Sequence, residues 1–443
     1  MNDKPEIEKP LQKRMTAVSR REFLRGSASL ALLASAGSVG CRKSAAANRA
    51  VKLGFVSPRT GSLAAFGEAD AFVLAGIRKA VAGGLMIAGK MHPIEIIEKD
   101  SKSDPNRAAE VASDLIKTDR VDMILTANTP ETVNPVADQA EINGVPCIST
   151  DAPWQPYFFG RGGKVEQGFE WTYHFFWGTE ELAAVYTNMW ASLPTNKVVG
   201  ALWGNDNDGN AFSDPKQGFP PILAAKGFKL VDSGRFQPST NDFSAQISAF
   251  KNAHVEILTG VLSPPAFATF WSQAAQQGFK PKIATMAKAL LFPAAVESLG
   301  ERAERLSTEV WWSPNHPFRS EVTGQSAAEF CADYERQTGK QWTQPMGFKH
   351  ALFSVALDVL KRTRNIDSPE AIRDAIVATN YASIVGPVSW QRGPVKNVCK
   401  TPLVGGQWVS GNKPHFNLLV VNDEGEKEIP TQAALQPLVS VGA

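Results

Sequence analysis

The residues most able to hold a small polar ligand cluster in short loops that follow apolar runs. Arg59 stands in the turn Ser57-Pro58-Arg59-Thr60-Gly61. A guanidinium there either clamps a carboxylate through two parallel N–H donors or sits solvated at the surface. The segment Thr126-Ala127-Asn128-Thr129-Pro130-Glu131-Thr132 opens a helix, and the exposed N–H groups of a helix start favour an anion. Asn128, Thr129 and Thr132 would add side-chain contacts, with Thr132 equally serviceable as the helix cap alone. Eleven tryptophans are present, and Trp154, Trp177, Trp203, Trp311 and Trp312 fall at strand ends or in connections between elements. Indoles lining a cleft suit a flat or bulky apolar ligand, although each is also at home in a core. There is no G-x-S-x-G elbow, H-E-x-x-H pair or Walker A loop. The six histidines lack metal spacing. The residue types therefore point to binding rather than catalysis, with no cofactor or metal implied.

The N-terminus carries an address. Ser19-Arg20-Arg21-Glu22-Phe23-Leu24-Arg25 runs into an Ala/Ser/Gly-rich apolar segment from Ala28 to Val39, which reads as a twin-arginine export signal. A run of about a dozen residues is too short to span a bilayer. Ser38-Val39-Gly40-Cys41 resembles a lipobox with Cys41 as the lipidated residue, while Ala45-Ala46-Ala47 offers an ordinary cleavage site instead. Of 443 residues, the remainder has room for two or three domains. A formal net charge of +2 gives no basic excess for nucleic acid. Cys147, Cys331 and Cys399 remain, read either as a Cys331–Cys399 disulfide plus one thiol or as three buried thiols.

The loops are positioned by alternating elements. Val51–Val56, Ile94–Ile97, Asp122–Leu125 and Val145–Ser149 read as strands, separated by helix-period segments over 66–81, 104–117 and 132–143. A second series runs from Val198–Trp203 through Leu230–Asp232, Val255–Thr259 and Lys282–Thr285, with helices at 219–226, 243–252 and 267–277. Strands alternating with helices imply βαβ units and parallel sheets. The fold class expected is α/β, with two doubly wound parallel-sheet lobes whose ligands sit beyond the carboxyl ends of the strands.

Several segments together resemble the type I periplasmic binding proteins of the Leu/Ile/Val-binding class. They are VKLGFVSPRTGSLAAFG at 51–67, Asp104-Pro105, Asn134-Pro135-Val136-Ala137-Asp138 with Gly144–Ser149, Asp242-Phe243-Ser244, and Gly386-Pro387-Val388-Ser389-Trp390. The resemblance covers roughly residues 51–425. It implies two lobes joined by three strand crossings, near 174–180, 309–314 and 386–400, that close on a ligand. The division expected is 1–47 for export and linker, 48–176 plus 312–388 for the first lobe, and 177–311 plus 389–436 for the second. It also implies a monomer that delivers its ligand to an ABC permease from the periplasm.

The same resemblance nominates Phe66 to pack on the ligand, although Phe66 could instead only staple the start of its helix. It nominates Ser149, Thr150 and Asp151 at the next strand end, and Trp203, Asn205, Asp208, Ser263 and Lys288 in the second lobe. Amino-acid binders of the class hold the ligand ammonium with an acid on the last of these loops. Here Ala287 stands in its place beside Lys288, and Val261 or Leu262 replaces the usual tyrosine. With Arg59 or Lys288 near Trp177 and Trp203, an aromatic or hydrophobic carboxylate is the ligand expected. The alternatives are a branched-chain or aromatic amino acid or amide, with Asp206 or Asp208 taking the ammonium, and a sensor role for a membrane receptor.

Overall fold

The computed structural model describes residues 48–412 and 415–439. The export motif, Cys41 and the 45–47 site lie outside the described residues. The first sheet has six parallel strands in the order Val398–Cys399, Thr172–Phe175, Cys147–Thr150, Met123–Ala127, Val51–Ser57 and Ile94–Asp100. Alternating side chains divide between its two faces. Val56, Ile124 and Cys147 pack under helices Pro105–Asp114 and Pro130–Asn143. Leu53, Phe55, Met123, Leu125 and Ile148 face the opposite core, which includes residues of helices Asp70–Ala80 and Gln344–Arg362. Asp104 caps its helix by accepting from the Arg107 N–H at 2.7 Å.

The second sheet runs Phe416–Asn422, Val404–Ser410, Ser307–Val310, Ile283–Ala287, Ile257–Val261, Val198–Gly204 and Lys229–Phe236. Its two C-terminal strands are antiparallel and the rest parallel. In both sheets the first strand in chain order is flanked by the second and third, with the fourth and fifth following outward from the third. The two lobes are therefore built to one plan.

The chain passes between the sheets after Phe175, after Val310 and after Cys399. The third passage falls at the far end of the expected 386–400. Gly386–Ser389 forms a hairpin with Asn380–Ser383, a peripheral setting that tolerates Pro387. Val398–Cys399 then pairs with His174–Phe175 at the first sheet's edge. The boundary expected at 388 moves accordingly, and 389–399 stay with the first lobe. The Asn/Asp loop at 204–210 also differs from expectation. It holds a short helix, Asn207–Phe212, capped by Asp206 on the Gly209 N–H at 2.7 Å. Gly209 is required there, because a Cβ would lie 1.9 Å from the Gly204 carbonyl oxygen. Cys147, Cys331 and Cys399 are all free and buried, so no Cys331–Cys399 bridge forms.

Candidate functional site

Residues from both lobes line one small cavity. The first lobe and its crossing contribute Phe66, Thr129, Asp151, Phe176 and Trp177, and the second lobe contributes Asp208, Phe212, Val261, Ala287, Lys288, Leu291 and Glu309, with Trp311 where the chain returns. Phe66 meets Phe292 of the opposite lobe edge-on at 4.9 Å. The walls approach so closely that about 30 Å³ remains, room for roughly two waters. An organic ligand therefore enters only when the walls part, the hinge type of motion.

Two charged residues sit at equivalent points of this cleft. Asp151 follows the fourth strand of the first sheet and Lys288 the fourth strand of the second. Both have left-handed backbone, with φ of 71° and 67°, a conformation that non-glycine residues keep only where their surroundings enforce it. Lys288 Nζ donates to Asp208 Oδ2 at 2.9 Å and lies 3.7 Å from Glu131 Oε2 of the first lobe. Burial pulls its ammonium down, but Asp208, Glu131 and Asp206 together push it well above its ordinary value. Asp208 is raised by its own burial, with Lys288 opposing and Glu131 and Asp206 adding to the rise. One cation thus serves several acids. Glu309 completes this wall, accepting from the Tyr186 hydroxyl, from Thr308 and, at 3.3 Å, from the Lys288 N–H.

Asp151 has no such company. It is 4 % exposed, and neither carboxylate oxygen has a hydrogen-bond partner among the described residues. Burial raises its carboxyl to about 8, with Lys349 opposing, Asp70 adding to the rise, and the neighbouring Thr150 hydroxyl, which donates to the Phe175 carbonyl instead, easing it least. Thr129, the N-cap residue of Pro130–Asn143, also leaves its hydroxyl unpartnered. The indole N–H groups of Trp177 and Trp311 are likewise buried without acceptors. A buried polar group without a partner is costly, so a cluster of them at one cavity marks a place where partners are supplied from outside.

Not every nominated residue reaches the cavity. Phe66, Thr129, Asp151, Trp177, Asp208 and Lys288 line it. Arg59 does not: its side chain is 56 % exposed and lies 3.6 Å from Glu98. Asn128 Nδ2 donates to Thr132 Oγ1 at 2.7 Å, so these two brace the helix start rather than face the cavity. Thr150 donates to the Phe175 carbonyl at 2.7 Å. Ser149 pairs with His174 Nδ1 at 2.8 Å, and His174 Nε2 lies 2.7 Å from the Ala152 carbonyl oxygen. That carbonyl can only accept, so Nε2 carries the proton and Ser149 donates to Nδ1; burial lowers the imidazole to about 3 and keeps it neutral. Ser149 therefore steadies the turn carrying Asp151. Trp203 is buried against Phe212 and Phe219. Asn205 is exposed, and Ser263 is the N-cap residue of Pro264–Gln276, away from the cavity.

Several lining residues were not nominated, among them Phe176, Phe212, Leu291 and Glu309. Glu309 alone carried a signal, an acid inside the short run Ser307–Val310 that forms a strand. Lys349 matters at one remove. Its ammonium, buried in the first lobe, donates to Asp70 and the Phe66 carbonyl, and to Ser57 Oγ at 3.1 Å, which fixes the loop bearing Phe66. At the crossings, Glu180 accepts from Trp154 Nε1 at 3.0 Å and pairs with Lys400 at 2.6 Å.

A family model described as periplasmic binding protein matches residues 50–412. Among solved structures, the leucine binding protein LivK of Thermotoga maritima superposes with a TM-score of 0.66 at 21% identity, covering 84% of this chain and 99% of that one. A solute binding protein of an ABC transporter from Rhodopseudomonas palustris, in complex with 3,4-dihydroxybenzoic acid, gives 0.67 at 19% identity, covering 84% and 96%. Another from R. palustris, in complex with 4-hydroxybenzoate, gives 0.67 at 15% identity, covering 89% and 99%. At these identities the likeness establishes the fold.

Proposed function

The chain belongs to the periplasmic binding protein family, and on that premise we propose that it captures a small aromatic or hydrophobic carboxylate between its lobes and delivers it to an ABC permease. The family binds small ligands and works with ABC transporters, and it is a family of binding proteins rather than enzymes. Membership implies a periplasmic or extracellular place, and among the described residues no helix is long and apolar enough to cross a membrane. Export by the twin-arginine route, with Cys41 as a lipid anchor, is the reading the N-terminal sequence supports.

One observation carries the ligand class. Trp177 and Trp311 line the cavity, and their indole N–H groups are buried and unpartnered. An indole N–H can only donate, so a complementary ligand brings acceptor oxygens. The start of helix Pro130–Asn143 favours an anion at the same wall, and Phe66, Phe176 and Phe212 offer aromatic surface to its body. The proteins bound to dihydroxybenzoate and hydroxybenzoate make this ligand class a natural first panel.

The test is calorimetric titration with benzoate, 4-hydroxybenzoate, isoleucine and phenylalanine. Binding of the benzoates is expected, and Trp177→Phe, which keeps an aromatic ring and loses the donor, should weaken it by about tenfold or more, the worth of one hydrogen bond to a charged group. A specific observation favours a second reading. Asp208 Oδ1 is buried and unpartnered amid surplus acid, which would suit a ligand ammonium. Binding of the amino acids with none of the benzoates would establish that reading and remove the first.

A further inference from the structure

The first lobe raises a question that its ligand class alone does not answer. A fully ionised carboxylate at Asp151 would be buried with no donor on either oxygen, at a cavity whose other unpartnered groups on the same side are donors or hydroxyls. An anionic ligand beside it would be repelled. Two solutions exist: the residue waits for a cation, or it carries a proton. The unpartnered indoles of Trp177 and Trp311 and the helix start at Thr129 call for an acceptor in this part of the cavity, and a cation would be repelled by the same donors. The proton is the consistent choice.

We propose that Asp151 is a specificity-determining residue that meets the ligand as a neutral carboxylic acid and donates its proton in a hydrogen bond to the ligand's carboxylate. The proton stays on Asp151 and no bond breaks. The inference rests on the carboxylate reading above and deepens it. Burial supports it, since the group is held up to about 8, where it is protonated across the neutral range. The left-handed turn fixes the carboxyl at the cavity, and the neutral His174, bonded to the adjacent Ala152 carbonyl, holds that turn. The other charged groups around the cavity each have an oppositely charged or hydrogen-bonding neighbour. Lys349 from helix Gln344–Arg362 and Asp70 from helix Asp70–Ala80 are paired with each other. Across the cavity Asp208 is paired with Lys288, which Glu131 of the first lobe approaches to 3.7 Å, and Glu309 is held by Tyr186 and Thr308.

A consequence follows for selection and for pH. Such a site prefers an anion over the corresponding amide or amine, and above the titration of Asp151 the ligand must bring a proton with it. Benzoate is the probe, because it has no second group that titrates between pH 6 and 10. Calorimetry on the full chain should show affinity level below pH 7, falling towards tenfold per pH unit above about 8, with proton uptake seen as a buffer-dependent heat. Asp151→Asn retains a donor but cannot titrate. It should bind benzoate a few-fold more weakly at pH 6.5, lose the decline specific to Asp151 above pH 8, and take up no proton. Because Asp208 is intact in both proteins, their difference reports Asp151 alone. Independently, the ligand-free chain labelled with ¹³C at aspartate carboxyls should show one resonance titrating near 8 that is missing from Asp151→Asn. Titration of that resonance in the ordinary aspartate range overturns the proposal without touching the carboxylate reading. So does benzoate binding with the same pH profile in both proteins. Binding of phenylalanine but no benzoate, lost in Asp151→Asn, overturns both.

Discussion

Each wall of the cleft ends its fourth strand in one charged residue with left-handed backbone, Asp151 in the first lobe and Lys288 in the second. The two positions correspond by topology, yet their surroundings differ. Lys288 is already engaged by Asp208 and Glu131, and its wall is completed by Glu309 with Tyr186. Among the described residues Asp151 lacks any hydrogen-bond partner, as does the Thr129 hydroxyl in the same wall. A wall whose charged groups largely hold one another, with Asp208 Oδ1 left open, contributes mainly shape and stability. A wall with idle hydrogen-bonding groups contributes recognition, because a ligand that supplies their partners removes a cost paid in its absence. The comparison recasts Lys288, which in the sequence looked like the ligand's counter-ion. In the structure it holds together acids drawn from both lobes.

The sharpest way to break this comparison is Lys288→Met. If Lys288 binds only ligand, its loss weakens binding and leaves the free protein as stable as before. If it neutralises Asp208 and Glu131, the free protein is left with buried, uncompensated acids and loses about 3–5 kcal/mol. Urea unfolding at pH 7.5 distinguishes these, and the second outcome is expected. The deficit should shrink on acidification, as Asp208, already raised by burial, takes up a proton.

The counterpart in the first lobe is the ligand-free stability of Asp151→Asn as a function of pH. The folded carboxyl is raised to about 8, above an unfolded value of about 3.9. Its relative contribution to stability is therefore fully present below about pH 4 and is lost progressively as pH rises to about 8. Asparagine has no such dependence. The variant should gain on the wild type over that interval, by an amount on the order of 5 kcal/mol at its upper end. Parallel melting curves across pH 4–8 would mean that Asp151 is solvated or paired, and the contrast between the walls would fail.

The sequence made the lobes readable because their strands are short aliphatic runs placed between helix-period segments, as at Val51–Ser57 and Ile257–Val261. It made the cleft only partly readable. Residues at strand ends were nominated as a group, but alternate side chains point in opposite directions, and the packing of neighbouring elements decides which ones meet the ligand. Ser149 and Thr150 turned to the next strand, Trp203 turned into the second core, and Asp151 remained at the cavity. The helix Asn207–Phe212 is too short to show periodicity, although it is what sets Asp208 beside Lys288. The lobe boundary at 388 was placed too early, because only pairing shows that Gly386–Ser389 joins the hairpin strand Asn380–Ser383 and that the chain crosses after Cys399.

Arg59 supplies the smallest effect and the cleanest control on the first wall. In the sequence it was a candidate carboxylate clamp, placed in the turn after the first strand. In the structure the backbone N–H groups of Arg59 and Thr60 donate to Asp100, so the turn is held by the main chain. The guanidinium lies 3.6 Å from Glu98 and is more than half exposed. Exposed pairs of this kind contribute about 0–1 kcal/mol, and Glu98 keeps Arg78 at 2.7 Å when Arg59 is gone. Arg59→Ala should therefore leave stability within about 0.5 kcal/mol and benzoate affinity within a factor of about two. A tenfold loss of affinity would show that the wall swings Arg59 inward on closing around ligand. Recognition would then rest on a mobile cation as well as on the fixed groups around Asp151.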